Sequence, residues 1–538
     1  DNPAEISFIG GTVWPQSVTD NMNNYKWRQF YLEASLHYDR TFGDHAVTGL
    51  FLYNAQRTYH PELLFSVPEG LMGIASRVTY NYRERYLAEF NMGYNGSENF
   101  PENKRFGFFP AFSGGWVLSN ESFFPKNDYV SFVKFRASYG EVGNDKLRGR
   151  RFLYLPSTWA NDGGWPNGYY FGNGNGSTQD PFYPGAYESV VGNPNVTWER
   201  ARKTNYSMEI KLLKNKLSFV GDIFKEKRDN ILWYLGTVPD IVAASLPPAN
   251  IGIVHNKGFE FQLGWSDQVN DFRYGIKGDI SYAKNTIIFQ DEPLYPYEWM
   301  NSTGFSLDQY KGWKSDGFYN SAEEAYNRPY SAIDGNKVQA GDLRYVDIDG
   351  DGKLDINDNI PIGYGNHPRV GYSSTIDLGY KGFNLSVLFI GSDQGTFRIR
   401  DFYLLNPFYM TQGNALQFQY DGRWTPEKAA NGEKITFPRA SMRTHSTISG
   451  VDSDFWIAST RFLRLKNVEV SYLFTGDKLK RVGLNGLRVY ANGNNLYTWH
   501  SSKLIKGIDP EQQDSGGSSQ GYVYPMMRVF NFGLQLQF

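Results

Sequence analysis

Cysteine is absent from the 538 residues, which excludes disulfides, thiolate metal sites and cysteine nucleophiles. No run of about 18 apolar residues occurs, so no segment is long and apolar enough to cross a bilayer as a helix. Net charge is scarce too: 54 Lys and Arg against 56 Asp and Glu leave -2, and that balance offers no basic field for nucleic acid. The 7 His residues fall in no HExxH or other tight metal spacing, and there is neither a G-x-S-x-G elbow nor a Walker A loop. Paired carboxylates such as Glu323 and Glu324 read as a solvated face, so no catalytic residues are assigned and the chain is not expected to be an enzyme. No Met or apolar leader precedes Asp1, and the chain reads as mature, processed or truncated.

What is abundant is aromatic surface. Phe, Tyr and Trp make up 17% of the residues, a load that suits interfacial girdles and stacking surfaces. The last ten residues show how it is used. Phe530, Phe532, Leu534, Leu536 and Phe538 fall on one face, and Asn531, Gly533, Gln535 and Gln537 on the other. That period of two marks a strand with one apolar side, and a barrel closed in lipid can turn such a side outward. A mean hydropathy of -0.51 does not oppose this, because half of each barrel strand faces a wet lumen.

The same alternation recurs along the chain. It starts at about Lys26 to Phe42, where Phe30, Leu32, Ala34, Leu36 and Tyr38 alternate with Tyr31, Glu33, Ser35, His37 and Asp39. It returns at Tyr86–Asn95, Val133–Tyr139, Phe259–Trp265 and Tyr274–Tyr282. Roughly fifteen such strands are expected, with no amphipathic helix of comparable length. In Phe462–Phe474 the phase slips between Leu465 and Val468, which predicts a β-bulge.

The connections give a direction. Short ones (43–44, 83–85, 119–130, 213–215, 269–272, 381–382 and 475–485) alternate with long ones (59–74, 97–104, 145–198, 234–252, 290–368, 400–460 and 500–528). Up-and-down strands put alternate connections on opposite ends, so the long loops share one end. The expectation is an all-β fold: a transmembrane antiparallel barrel with short periplasmic turns and long extracellular loops. The alternative is a secreted all-β glycan-binding protein or glycan hydrolase built as a propeller or sandwich.

The segments YNYRERYLAEFNMGYNGSENFPENKRFGFFPAFSGGW (80–116), VKFRASYGEVGN (133–144), HNKGFEFQL (255–263), FLRLKNVEVSYLF (462–474) and GLRVYANGNNLYTW (486–499), with 347–387, resemble the C-terminal part of the SusC/RagA family. These are TonB-dependent outer-membrane transporters of Bacteroidetes. The resemblance implies a barrel of about 22 strands with a plugged lumen. It also implies a SusD-like surface lipoprotein acting as a lid, and import of glycan or peptide oligomers driven by the TonB complex, often in a dimer of barrel–lid units. The whole of 1–538 is then barrel. About seven strands, the plug-bearing N-terminal part and the segment that contacts TonB are expected to lie outside it.

One loop carries a metal-like pattern. Asp347, Asp349, Asp351, Asp355 and Asp358 occupy positions 1, 3, 5, 9 and 12 of a calcium-type loop, with Gly352 at the sharp turn. Carboxylates at 1, 3 and 5 can converge with the Lys353 carbonyl into a hard-oxygen cage for a structural Ca²⁺. Asp358 stands where Glu is usual, and no EF-hand helix pair flanks the motif. The motif sits in the 290–368 loop, expected outside the cell; the alternative is an acidic solvated turn without an ion. For substrate, the 145–198 loop offers Trp159, Trp165, Tyr169, Tyr170 and Phe171 as flat faces for sugar rings or peptide side chains. Tyr403, Phe408 and Tyr409 form a second set, and packing against other loops or the lid is the alternative role for both.

Overall fold

The computed structural model describes residues 27–538 except 60–66, 148–149, 156–159, 163–167, 171–181, 188–190, 240–245, 332–337, 400–416, 441–451, 501–508 and 512–525. One sheet dominates. Its strands are β1 (Arg28–Phe42), β2 (His45–Tyr59), β3 (Glu69–Tyr82), β4 (Tyr86–Ser97), β5 (Phe106–Val117), β6 (Val130–Asn144), β7 (Glu199–Leu212) and β8 (Leu217–Trp233). They continue as β9 (Ala249–Val269), β10 (Phe272–Phe289), β11 (Val370–Tyr380), β12 (Phe383–Asp393), β13 (Phe462–Phe474), β14 (Gly486–His500) and β15 (Val529–Gln537). All 15 pair with their sequence neighbours in order, antiparallel from Arg28↔Tyr59 at one edge to Gly486↔Gln537 at the other. This is the up-and-down wall expected from the alternation, and among the described residues β1 and β15 are its two unpaired edges.

The short connections are tight because their residues accept left-handed backbone. Lys381 and Gly382 sit at φ 44 and 91, the geometry that matches strand twist in a two-residue hairpin, and Arg83 and Glu84, at φ 52 and 53, open the three-residue turn 83–85. The long connections all leave the opposite end. The predicted bulge is present: pairing shifts between Leu465 and Asn467 on the β14 side and between Leu388 and Phe389 on the β12 side. Lys466 is the extra residue against β12, whereas on the other side β14 sets two residues, Asn495 and Leu496, against it.

Among the described residues no second sheet packs against the wall's apolar side. Phe530, Phe532, Leu534 and Phe538 are exposed, Phe532 and Phe538 to 83%. In the middle of the wall, on β7 to β10, Tyr206, Ile223, Leu263 and Ile276 stand out in the same way. A sandwich or propeller would bury these rows. Leaving them bare in water would be unfavourable at about 25 cal/mol per Å² of apolar surface, and hydrocarbon removes that cost.

Buried apolar packing lies among the loops instead. Tyr319, Leu343, Tyr345 and Leu354 from the β10–β11 connection join Phe397, Phe437, Trp456 and Ala458 from the β12–β13 connection in one core. Short ladders stitch it together, including Ser315↔Tyr345, Tyr330↔Lys353 and Thr396↔Ser459. The β12–β13 connection therefore starts at residue 394 rather than 400, because Thr396–Arg398 leave the wall to pair with Ile457–Ser459.

Candidate functional site

The face of the wall opposite the apolar rows is polar and hydrogen-bonded across strands. The Asp279 carboxylate accepts from Gln262 (2.7 Å) and Ser373 (3.0 Å), Asp222 accepts from Asn205 (2.8 Å), and Arg136 donates to Ser207 (2.7 Å). Registered neighbours such as Gln262 and Asp279 make these contacts because one sheet face collects every second residue. Asp222, Glu260 and Asp279 line one concavity together with Ser281, Ser373 and Tyr372. Its rim includes Pro510 and Glu511 from the last long connection.

Arg464 holds that connection to the wall. Its side chain is fully buried, donating to Thr498 (2.8 Å) on β14 and to Asp509 (2.5 Å), and pairing with Glu511. Sequence patterning gave no signal for this. The partners lie 45 and 47 residues downstream, and Arg464 on a strand reads as one more lumen-facing polar residue.

The acidic loop is partly assembled. Carboxylate oxygens of Asp347, Asp349 and Asp351 lie within 4.8 Å of one another. Local backbone builds this convergence: Asp347 accepts from the N–H groups of Gly350 (2.7 Å) and Gly352 (2.8 Å), and Asp351 from that of Lys353 (2.8 Å). Gly350 and Gly352 sit at φ 76 and 82, conformations that a residue with a Cβ would strain. Asp355 and Asp358 are not in the three-carboxylate group. Asp355 caps a 3₁₀ turn by accepting from Asn357 (2.8 Å), and Asp358, buried, accepts from Ile348 (2.6 Å) and Asp355 (2.9 Å). Lys353 forms a short ladder with Tyr330.

Burial pushes the Asp358 carboxyl above its usual range, against the pull of the backbone donors, and the Asp349 charge adds to the rise. The neighbouring Tyr297 phenol is raised by its hydrogen bond to Asp349 and then by burial. Tyr297 stacks on Trp299 at 4.5 Å, and Trp299 donates to the Asn357 carbonyl (2.8 Å), so an aromatic pair braces the loop. Three hard oxygens converging on a glycine turn suit a divalent cation.

Of the proposed substrate-facing aromatics, Trp159, Trp165 and Phe171 lie outside the described residues, as do Tyr403, Phe408 and Tyr409. Tyr169 and Tyr170 belong to the short strand Gly168–Tyr170, registered with Tyr183 and Phe182.

No family model matches the chain. A TonB-dependent receptor of Formosa agariphila is 25% identical across 100% of this chain and 55% of its own length. The TonB-dependent receptor SusC of Bacteroides thetaiotaomicron is 26% identical across 88% of this chain and 44% of its own. The RagAB peptide transporter superposes with a TM-score of 0.70 at 18% identity, over 95% of this chain and 56% of that one. Along its length the chain is similar to TonB-dependent receptors, SusC among them, and its fold is that of the barrel in the RagAB transporter. It spans about half the length of the curated relatives it matches.

That similarity gives the wall an outer-membrane location, in agreement with its bare apolar rows. Its relatives are receptors, in line with the reading that the chain is not an enzyme. It also decides against the secreted binding protein or hydrolase, which would need a water-compatible exterior.

Proposed function

We propose that this chain forms the larger part of the barrel through which oligomeric nutrients, glycans or peptides, enter across the outer membrane in a TonB-dependent step. A SusD-like lipoprotein would cap the long-loop end, and a plug on the remaining part of the receptor would close the lumen. The observation that carries this reading is the two-faced wall: apolar rows outside, and a hydrogen-bonded carboxylate and amide surface inside. Free edges at β1 and β15 cannot face hydrocarbon with unpaired N–H and C=O groups. Further strands, about seven for a barrel of about 22, would complete the ring.

The test is uptake by cells expressing the full-length receptor with its lipoprotein. Labelled oligopeptides and oligosaccharides are offered separately, with and without TonB. One class should enter only when both receptor and TonB are present, and Trp159→Ala with Trp165→Ala should weaken its capture. Entry of both classes at the same rate without the receptor would contradict the proposal.

For the acidic loop we propose a structural Ca²⁺ held by Asp347, Asp349 and Asp351, with the Lys353 carbonyl, Asp355 and Asp358 completing or bracing the cage on binding. Extracellular sites of this type work at about 10⁻⁴–10⁻³ M. Millimolar calcium, about 1 to 10 times such a dissociation constant, would stabilise the folded loop by about 0.4–1.4 kcal/mol. Addition of millimolar Ca²⁺ to the full receptor should therefore slow proteolysis of the β10–β11 connection, and Asp347→Ala with Asp351→Ala should abolish the protection. Equal cleavage with Ca²⁺ and with chelator would sink the metal assignment.

A further inference from the structure

Three lysines stand side by side on the outward face. Lys225 on β8 is registered with Lys257 on β9, and Lys257 with Lys284 on β10. Residues directly opposite across antiparallel strands bring their Cβ atoms to about 4.5–5.5 Å, and like charges there are destabilising. Among the described residues no carboxylate forms an ion pair with any of the three. The nearby outward acids are taken: Glu141 pairs with Arg200 and Arg202, and Asp229 with Arg202. Lys225 and Lys257 are exposed and Lys284 half-buried.

The position of the row is as informative as its charge. The registered row next to it, toward the short turns, is Ile223, Phe259 and Tyr282, and it opens the apolar band. The lysines thus mark the edge of the band on the long-loop side, where lipid headgroups meet the wall. A second, independent feature lies beside them. An apolar groove on the same face runs from Ile223 and Phe261 across Gly221 toward Ala137 and Phe135. Ala137 keeps its floor low between the larger Tyr206 and Phe135, and at Gly221 the rings of Phe219 and Phe261 close over the backbone to form its side.

We infer that the row and the groove together hold one phosphorylated lipid of the outer leaflet. The phosphate sits on Lys225, Lys257 and Lys284, and an acyl chain lies in the groove. An anion bridging the lysines relieves their mutual repulsion, and the groove gives the chain a fixed path that a flat wall would not. The inference rests on the outward face being in lipid, and it adds a specific headgroup chemistry to that face.

The experiment uses the full receptor, purified in a non-ionic detergent and examined by native mass spectrometry. The probes are bis-phosphorylated lipid A, the same lipid after phosphatase treatment, and inorganic phosphate. The receptor should retain the phosphorylated lipid and lose it on phosphatase treatment. Lys225→Gln, Lys257→Gln and Lys284→Gln combined should weaken retention on the order of 100-fold. Ala137→Leu, which fills the groove without touching charge, should weaken it as well. Unchanged binding in the triple variant, or equal binding of the dephosphorylated lipid, would overturn the site. Displacement of the lipid by millimolar inorganic phosphate, with Ala137→Leu silent, would reduce it to a free-anion site and overturn the lipid assignment. If the face were not in lipid at all, the unaltered receptor would bind neither lipid, a result distinct from loss in the variants alone.

Discussion

Leu263→Arg lowers the stability of the receptor in lipid by about 2–4 kcal/mol, the penalty for a basic side chain near the bilayer midplane on a barrel exterior. Leu263 lies on β9 between Trp265 and Phe261, on the row whose members turn outward, and it is 55% exposed. Its neighbour Gln262 points the other way and donates to Asp279 at 2.7 Å. Gln262→Arg therefore places the same charge beside Asp279 and Glu260 and should cost less than about 1 kcal/mol, in the range of ordinary surface substitutions. Urea unfolding of the refolded receptor in lipid vesicles measures both. The contrast between adjacent residues matters more than either value, since a soluble fold would penalise the two alike or in the reverse order.

Arg464→Met should be the most damaging single change on the lumen side. It removes the cation from a fully buried guanidinium that serves Asp509, Glu511 and Thr498. Breaking a buried pair on one side costs about 3–5 kcal/mol because the remaining charge is stranded. Glu511 is about one-third exposed, and water recovers part of that loss, so the lower end of the range is expected. Amide hydrogen exchange at Asp509–Glu511 should rise together with a fall in the urea midpoint. Adding Asp509→Asn and Glu511→Gln to Arg464→Met should restore much of the midpoint, since no carboxylate is then left unpaired. If the triple variant is no better than Arg464→Met, the cluster acts through packing rather than charge.

The wall was legible in the sequence because strand alternation and loop length are both local. Phe530 to Phe538 announce an outward row without any partner strand, and the slip near Leu465 announces the bulge at Lys466. The loop core was not legible. Its ladders are as short as Tyr330–Ser331 with Lys353–Leu354, too few residues for a period to show, and its apolar members are scattered over two connections. The lysine row shares this property: Lys225, Lys257 and Lys284 look unrelated until the register of β8, β9 and β10 sets them side by side. In the acidic loop the spacing of Asp347, Asp349 and Asp351 foretold their convergence. The same spacing did not show that Asp358 would turn inward onto the N–H groups of Ile348 and Asp355.

The central claim is that hydrocarbon bathes one face of this sheet and water the other, and site-directed spin labelling measures it most directly. Because the chain has no cysteine, Phe259→Cys, Phe261→Cys, Leu263→Cys, Glu260→Cys and Gln262→Cys each add a single label site to it. In membranes, labels at 259, 261 and 263 should collide mainly with oxygen, and those at 260 and 262 should not share that lipid signature, giving a period of two along β9. Collision with a water-soluble nickel complex at 259, 261 and 263, equal to that of a label in solution, would contradict the account.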